Sequence, residues 1–202
     1  MKKFDRLPPE ARKQEIQSAA LGLFSTKGFA ATTMENIVEQ VSLSKGGVYR
    51  LYSSTSAILA DLMLSGMHLR NAYYEQRVQQ EIDAGRPLTL PFLVEMIGDS
   101  MLLYPEISAV YVEFLWEKQR SSELEALYQE ICRTTVEETL TLIRRYGAES
   151  LLLTEKDSLV RLTEIMNATI LSLRVLGMDE DFQRRKTQIC AAITQILLQD
   201  DE

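Results

Sequence analysis

The stretch that decides the fold is Thr32–Thr55, TTMENIVEQVSLSKGGVYRLYSST, which predicts two short helices joined by a tight turn. Thr32 and Glu35 have the spacing of a capping box, so the first helix is predicted to begin here. Its buried face follows the i, i+3, i+4, i+7 pattern at Met34, Ile37, Val38 and Val41. After the turn, Ser44 can cap the second helix.

The second helix has two contrasting faces. Its apolar face consists of Val48, Leu51 and Tyr52, and its other face of Lys45, Gly46, Tyr49 and Arg50. Gly46 and Gly47 should each cost the helix about 1 kcal/mol relative to alanine. Two glycines are explained despite this cost if the helix backbone must approach a large partner closely. The alternative explanation is a loosely formed turn. The pattern is typical of a helix-turn-helix that presents its recognition helix to the major groove of DNA.

The composition of the 202-residue chain indicates a packed, all-α protein. Hydrophobic residues make up 46% and charged residues 25% of the chain, and alternating strand patterns are nearly absent. No apolar run reaches the ~18 residues of a membrane-spanning helix, and the start has no apolar signal sequence. Cys132 and Cys190 lack motif spacing, so we expect buried free thiols in a cytoplasmic protein without membrane association.

The net charge of −7 is divided unevenly along the chain. Residues 1–55 contain eight Lys and Arg against five Asp and Glu, a net charge of +3, and the remainder carries −10. A basic N-terminal part, the head, followed by an acidic remainder, the body, is typical of a protein that binds DNA through one end.

The flanking sequence predicts further helices. The first helix is expected to begin at Pro8–Pro9 and to end at Gly28, with Phe29 folding back under it. A long helix from Ser54 or Thr55 to about Ala84 would join head to body, with Leu69 on its buried side. The body helices are predicted at Leu90–Tyr104, Glu106–Arg120, Ser122–Tyr146, Thr154–Leu176 and Asp179–Gln199. The helix Glu106–Arg120 has a second apolar face, Val112 and Trp116, which predicts a central position.

The segment Gly28–Ser54, GFAATTMENIVEQVSLSKGGVYRLYSS, resembles the N-terminal domain of the TetR family of transcriptional regulators. The resemblance covers roughly residues 9–70 and is carried by Phe24, Gly28, Phe29, Thr33, Ile37, Ser44, Lys45, Gly46, Tyr49 and Tyr52. It implies a three-helix helix-turn-helix DNA-binding domain at 9–70. Residues 71–202 would then form a larger helical domain for ligand binding and dimerisation.

This resemblance also implies a function. The chain would bind a double-stranded, pseudo-palindromic operator as a homodimer, act as a repressor, and be released by a small-molecule effector of unknown identity. The DNA contacts carried over by position are Thr32, Thr33, Ser44, Lys45, Gly46, Gly47, Tyr49, Arg50 and Thr55. Three positions depart from the family pattern: Ser42 replaces the usual Gly of the turn, Tyr52 replaces Phe, and Thr55 replaces Lys.

Aromatic and methionine side chains of the body predict a cavity for a small molecule, with ordinary core packing as the alternative. They are Phe92, Met96, Met101, Tyr104, Tyr111, Phe114, Trp116, Tyr128, Met166 and Leu173. Glu113 and Glu117 share one helix face, where they could receive a cationic ligand or simply face solvent.

The last two predicted helices are candidates for a four-helix dimer interface, with capping of the body as the alternative. Small residues that allow close approach are Ala168, Thr169 and Ser172, and the apolar stripe of the last helix is Phe182, Ile189, Cys190, Ile193, Ile196 and Leu197.

Other classes of function are less compatible with the residues. An enzyme is disfavoured because the chain has one histidine, no zinc spacing of cysteines, and no phosphate loop or nucleophile elbow. We therefore predict no metal and no cofactor. A transcriptional activator, or a ligand-independent helical adaptor on the same head, remains open.

Overall fold

A computed structural model describes residues 8–146 and 156–197 of the chain. Every element in these ranges is helical, which confirms the all-α prediction. The helices are α1 (Pro9–Lys27), α2 (Met34–Val38), α3 (Lys45–Leu51), α4 (Thr55–Asp83), α5 (Leu90–Leu103), α6 (Pro105–Glu117), α7 (Ser122–Arg145), α8 (Lys156–Leu176) and α9 (Asp179–Leu197), with a 3₁₀ turn at Lys118–Arg120 between α6 and α7. No helix within the described ranges is long and apolar enough to cross a bilayer.

Side-chain caps fix where the helices of the head begin. The predicted caps Ser44 of α3 and Ser54 of α4 are confirmed, since their hydroxyls accept hydrogen bonds from the Gly47 and Ala57 amides. The predicted capping box at Thr32 and Glu35 is wrong by one residue. Thr33 caps α2, and its hydroxyl accepts from the Asn36 amide while the Asn36 side chain accepts from the Thr33 amide.

Thr32 cannot cap α2 because its hydroxyl is already engaged. Its Oγ1 donates to the Gly28 carbonyl oxygen at 2.8 Å, and the residue is buried. The helix is also shorter than the apolar pattern suggests, since α2 ends at Val38 and Val41 follows it in the turn. Met34 and Ile37 therefore carry most of its contact with the core.

Gly28 ends α1 as predicted, with a backbone that favours glycine. Its φ is 85° and its ψ is 153°, and its amide donates to the Phe24 carbonyl oxygen at 3.0 Å. Phe29 then folds back against Phe24, with ring centroids 5.2 Å apart. The reversal at Gly28 thus brings α2 against α1.

Two predictions about exposure in the long helices are wrong. Trp116 is 57% exposed and lies beside the Arg120 guanidinium, 5.1 Å from the ring centroid. The second apolar face of α6 is therefore not buried at this position. Leu69 of α4 is 43% exposed, because α4 turns this side to solvent where it leaves the head. Cys190 is a buried free thiol as expected, whereas Cys132 is only half-buried.

Boundaries in the body differ slightly from those predicted. Pro105 begins α6, where its missing N–H costs nothing, rather than only ending α5. The predicted helix to Arg120 breaks into the 3₁₀ turn Lys118–Arg120. The predicted start of α8 at Thr154 lies outside the described residues, as does the expected end of α7 at Gly147.

The apolar residues form two cores that share α4. The head core consists of α1–α3, the first half of α4, and side chains from α6 and α7, among them Val110, Phe114 and Leu124. The body core consists of α5, α8, α9, the second half of α4 with Tyr74 and Val78, and side chains of α7 such as Val136. Because α6 contributes to the head core, the head is packed against the body.

We expect Gly28→Ala to lower the free energy of unfolding by about 1–3 kcal/mol, because the backbone at φ 85° and ψ 153° is strained for a residue with a Cβ. Gly22→Ala is the matched control. Gly22 is exposed inside α1 with open space around it, so alanine should raise stability by up to about 1 kcal/mol. Urea unfolding of both variants checks this, and equal effects at the two positions would contradict the role assigned to Gly28.

Candidate functional site

Helix α3 presents a polar face to solvent while its other face is buried. Val48 is fully buried, whereas Lys45, Gly46, Tyr49 and Arg50 are exposed; we call these four residues the α3 face. A Cβ at Gly46 would point into open space, so no packing within the chain requires glycine there. The absence of a side chain leaves the backbone of α3 accessible to a large partner.

The carboxylate of Glu35, which the sequence analysis considered only for a capping box, lies beside the α3 face. The Glu35 Oε1 atom accepts hydrogen bonds from Lys45 Nζ at 2.9 Å and from the Tyr49 hydroxyl at 3.2 Å. The hydrogen bond from Lys45 lowers the pKa of the Glu35 carboxyl, and the same contact raises the pKa of Lys45. All three side chains are exposed, so solvent screens the pair and a phosphate could compete for it.

The other residues predicted to contact DNA are placed differently. Thr33 is exposed at the start of α2, and Thr55 is half-buried in the first turn of α4. Thr32 is buried and bonded to Gly28, so its hydroxyl lies within the head. Ser44 and Gly47 form the capped first turn of α3, where Gly47 contacts the Ser44 side chain.

The turn between α2 and α3 is held by a carboxylate of α1. The Ser42 amide donates to Glu15 Oε1 at 2.5 Å, and the Ser42 hydroxyl donates to Glu15 Oε2 at 3.0 Å. The resemblance leads one to expect glycine at this position. The serine instead adds a hydroxyl that ties the turn to α1.

Tyr52 anchors the end of α3 through its hydroxyl. It donates to Asp61 Oδ2 on α4 at 2.5 Å and accepts from Gln17 Nε2 on α1 at 3.3 Å. Burial, with a further contribution from Asp61, raises the pKa of the Tyr52 phenol well above its usual range, so the group stays neutral and can donate. Lys13 lies 3.6 Å from Asp61 and completes the link between the helices. A phenylalanine here could not make these bonds.

A partly open cavity of about 120 Å³ lies between α4, α5, α6, α7 and α8. Of the residues predicted for a ligand site, the cavity is lined by Met101, Tyr104, Tyr111 and Met166. The α4 side chains Met63, Met67 and Arg70 also line it, and the sequence reasoning missed them because α4 was interpreted as a strut. Gly66 lets α6 approach α4 there, since a Cβ on it would lie 2.9 Å from Ile107 Cγ2.

The remaining residues predicted for the ligand site do not line this cavity. Phe114 is fully buried in the head core, and Met96 and Leu173 are buried in the body core. Phe92 packs beside Arg77, whose guanidinium lies 5.9 Å from its ring centroid. Trp116 is exposed.

Tyr128 does not line the cavity but is connected to it through a chain of hydrogen bonds. The Tyr111 hydroxyl donates to Asn167 Oδ1 at 2.9 Å, and Asn167 Nδ2 donates to the Tyr128 hydroxyl at 3.0 Å. Burial raises the pKa of Tyr128 to about 12 and also raises the pKa of Tyr111. Both phenols are therefore neutral at physiological pH, and these neutral groups satisfy one another at the side of the cavity.

Helix α6 connects this cavity to the head. Ile107 and Tyr111 line the cavity, and Phe114 is fully buried in the head core. Between them, Glu113 Oε2 accepts a hydrogen bond from the Phe29 amide at 3.4 Å. Glu113 thus faces the head, and Glu117 lies 3.6 Å from Arg120.

Helices α8 and α9 carry the residues predicted for a dimer interface. A groove of about 600 Å³ between them is lined in part by Ala168, Thr169, Ser172, Phe182 and Ile189. Phe182 is nevertheless buried in the body core, where Ile193 also packs. The side chains of Ile196 and Leu197 lie outside the described residues. Exposed apolar side chains of this region that were not predicted are Leu171, Val175, Leu176 and Met178.

Comparison with known proteins matches the N-terminal segment to a family. Residues 16–62 fit the model of bacterial regulatory proteins, tetR family. The HTH-type transcriptional regulator YfiR of Bacillus subtilis (strain 168) is 40% identical over 58 residues, which cover 29% of this chain and 28% of YfiR. YdeS of the same organism is 38% identical over 56 residues, 28% of each chain. The sequence matches thus span about 28% of the length of these relatives.

Solved structures share the fold over nearly the whole chain. Salmonella enterica GusR has a TM-score of 0.71 at 16% identity, covering 96% of this chain and 97% of GusR. A TetR-family structure from Mesorhizobium loti MAFF303099 has a TM-score of 0.73 at 17% identity, covering 95% and 97%. A structure from Saccharomonospora viridis in complex with choline has a TM-score of 0.62 at 14% identity, covering 94% of each chain.

The sequence matches are confined to the N-terminal segment, whereas the solved structures show the same fold over nearly the whole chain. Residues 16–62 of this protein match the tetR family of bacterial regulatory proteins.

Proposed function

We propose that this protein is a cytoplasmic, sequence-specific transcriptional repressor that binds a pseudo-palindromic operator as a homodimer and is released by a small-molecule effector. The observation that carries the proposal is the α3 face, where Lys45, Gly46, Tyr49 and Arg50 stand exposed on a helix fixed by the Ser44 cap and the Tyr52 anchor. A short helix held rigidly at both ends suits insertion into the major groove.

The proposed DNA contacts are of two kinds: contacts to phosphates, which position the head, and contacts to bases, which read the sequence. Thr33, Lys45 and Tyr49 would hold phosphates and set the register of the head on the duplex. Arg50 can make the bidentate contact to guanine that reads sequence, and Gly46 allows the helix backbone to approach the groove. Because this set is small, part of the specificity would come from the shape of the DNA.

Release by an effector is supported by the position of α6. This helix lines the cavity with Ile107 and Tyr111 and reaches the head with Glu113 and Phe114. A molecule that changes the packing of α6 at the cavity would therefore change the contact of α6 with the Phe29 turn. The shift in operator affinity can be no larger than the effector's preference for one arrangement over the other. The choline complex from Saccharomonospora viridis supports small-molecule binding within this fold.

The proposal is tested by fluorescence anisotropy of the purified protein with duplexes from its own upstream intergenic region, at two salt concentrations. We expect saturable binding of two chains per palindromic site and far weaker binding of an unrelated duplex of equal length. Binding that ignores sequence and falls steeply with salt on every duplex would contradict a specific operator in that region.

Two substitutions with opposite expected effects on DNA affinity test the α3 face. Lys45→Ala should weaken binding several-fold for all duplexes and lower the salt slope by about 1, because one phosphate contact is lost. Glu35→Gln should strengthen binding, because it removes the charge that holds Lys45 and Tyr49 and that would repel phosphate.

Glu39→Gln is the matched control for the second variant, since it makes the same charge change at the exposed C-cap residue of the same helix. Equal gains for both glutamine variants would mean a general charge effect and would contradict the specific role of Glu35. A Lys45→Ala variant with altered preference at one base pair and an unchanged salt slope would contradict the phosphate contact.

The homodimer is tested at Val175, which is 63% exposed on α8. Val175→Glu should convert the dimer to monomers at micromolar concentration in a sedimentation experiment, because a carboxylate would be buried without a partner. Leu69→Glu, at a 43% exposed position of α4, is the control and should remain a dimer. A monomeric parent protein, or a dimeric Val175→Glu variant, would contradict an interface through α8.

A further inference from the structure

The cavity has one charged group on an otherwise apolar or neutral wall. Among the lining residues, Arg70 is the only one with an ionised side chain. The apolar part of the wall is formed by Met63, Met67, Ile107, Ile131, Met166 and Ile170. We infer that the cavity takes a small organic anion, a monocarboxylate with a compact apolar body whose carboxylate binds the Arg70 guanidinium. This inference rests on the proposed function, since it names the chemical class of the effector.

The guanidinium of Arg70 is positioned by the protein but not saturated by it. Its Nη2 donates to Thr135 Oγ1 at 2.9 Å and to Asn71 Oδ1 at 3.3 Å, and its Nε lies 3.4 Å from the same Asn71 oxygen. Nη1 makes no hydrogen bond with any residue that the structure describes. The two N–H donors of Nη1 therefore remain for an acceptor, and a carboxylate can accept one of them in a charge-assisted hydrogen bond.

The charge of Arg70 is also not neutralised within the described part of the chain. It forms no ion pair with any described carboxylate; its Asn71 partner donates to Glu138, which is exposed to solvent. The guanidinium lies 5.9 Å from the centroid of the Tyr74 ring, and the quadrupole of that ring supplies only part of a counter-charge. A half-buried arginine beside an apolar cavity, without a carboxylate partner, favours an anion supplied from outside.

Neutral groups at the same wall are less available. Tyr111 and Asn167 are bonded to each other, and Asn167 also donates to Tyr128. The Ser100 hydroxyl is bonded to Tyr74 and to the Ile97 carbonyl oxygen. A neutral ligand could accept only from the open donors of Arg70 without disturbing these bonds, whereas a carboxylate would accept there and also neutralise the charge.

The size of the cavity limits the apolar body of the ligand. A cavity of roughly 150 Å³ accepts benzene, so the volume of about 120 Å³ suits a ring or a short branched or linear chain of similar size. Four methionines on the wall allow small adjustments to its shape. Benzoate and hexanoate are therefore suitable probes, and benzamide and hexanamide are their neutral counterparts of nearly equal shape.

The experiment measures binding of these four probes to the full-length protein by titration calorimetry and thermal unfolding, in the absence of DNA. At least one of the carboxylates should bind and raise the melting temperature, and its amide should bind at least tenfold more weakly. Arg70→Gln should weaken binding of the carboxylate at least tenfold and change binding of the amide far less, because it removes the positive charge of the guanidinium. Arg70→Lys keeps the positive charge but replaces the guanidinium by an ammonium group. Its affinity for the carboxylate should lie between those of the parent and Arg70→Gln.

Arg133→Gln is the control for net charge, because Arg133 is exposed on α7 and its only described ion pair is with Glu137; it should bind the carboxylate as the parent does. The inference is overturned if neither carboxylate binds, if the amides bind equally well, or if Arg70→Gln retains the affinity for the carboxylate. If Arg70→Gln does not fold, the inference is tested by comparing the affinities of the carboxylate and the amide for the parent protein and for Arg70→Lys. Because DNA is absent, failure of operator binding by the parent would overturn the proposed function separately.

Discussion

The full burial of Phe114 in the head core is the contact on which the rest of the arrangement depends. Helix α6 belongs to the body by its place in the chain, yet Val110 and Phe114 pack with side chains of α1 and α4. One turn before Phe114, Tyr111 of the same helix faces the cavity. A rigid helix cannot move its cavity side without moving its head side, because cores are close-packed and respond as units. The geometry of α6 is thus the physical basis for linking the cavity to the α3 face.

In the head, two side-chain anchors hold the turn before α3 and the end of α3. Its turn between α2 and α3 is held by Glu15 through Ser42, and the end of α3 is held by Asp61 and Gln17 through Tyr52. Both anchors reach back to α1 or forward to α4, so the α3 face is fixed from two sides. The result is a recognition helix whose orientation is determined before any partner arrives, which limits the entropy lost on binding.

The head could be predicted from the sequence because its signals are local. Capping serines, a glycine at the end of α1, and apolar residues at helical spacing act within a few residues of one another. The error at Thr32 arose where a tertiary contact intervened, since its hydroxyl bonds to the Gly28 carbonyl oxygen and leaves the cap to Thr33.

The cavity could not be predicted in the same way because five helices far apart in sequence enclose it. Tyr111 lines it and Phe114 does not, although the two are three residues apart on one helix. Arg70 gave no signal, since an arginine on a long helix usually extends into solvent. Whether such a side chain faces a cavity is decided by how α4 packs against α7, which no local pattern encodes. Trp116 illustrates the converse, an aromatic residue that the packing leaves exposed.

The close approach of α4 and α6 at Gly66 has a consequence for how this protein can diversify. Both Gly66 and Ile107 line the cavity, a Cβ on Gly66 would lie 2.9 Å from Ile107 Cγ2, and no residue of the α3 face takes part in that contact. Exchanges at Gly66 or Ile107 could therefore retune the size of the accepted molecule while leaving the DNA-reading surface untouched. Under the proposed function, the residues that would select the ligand and those that would contact DNA are different side chains, so substitutions can change one set and leave the other intact.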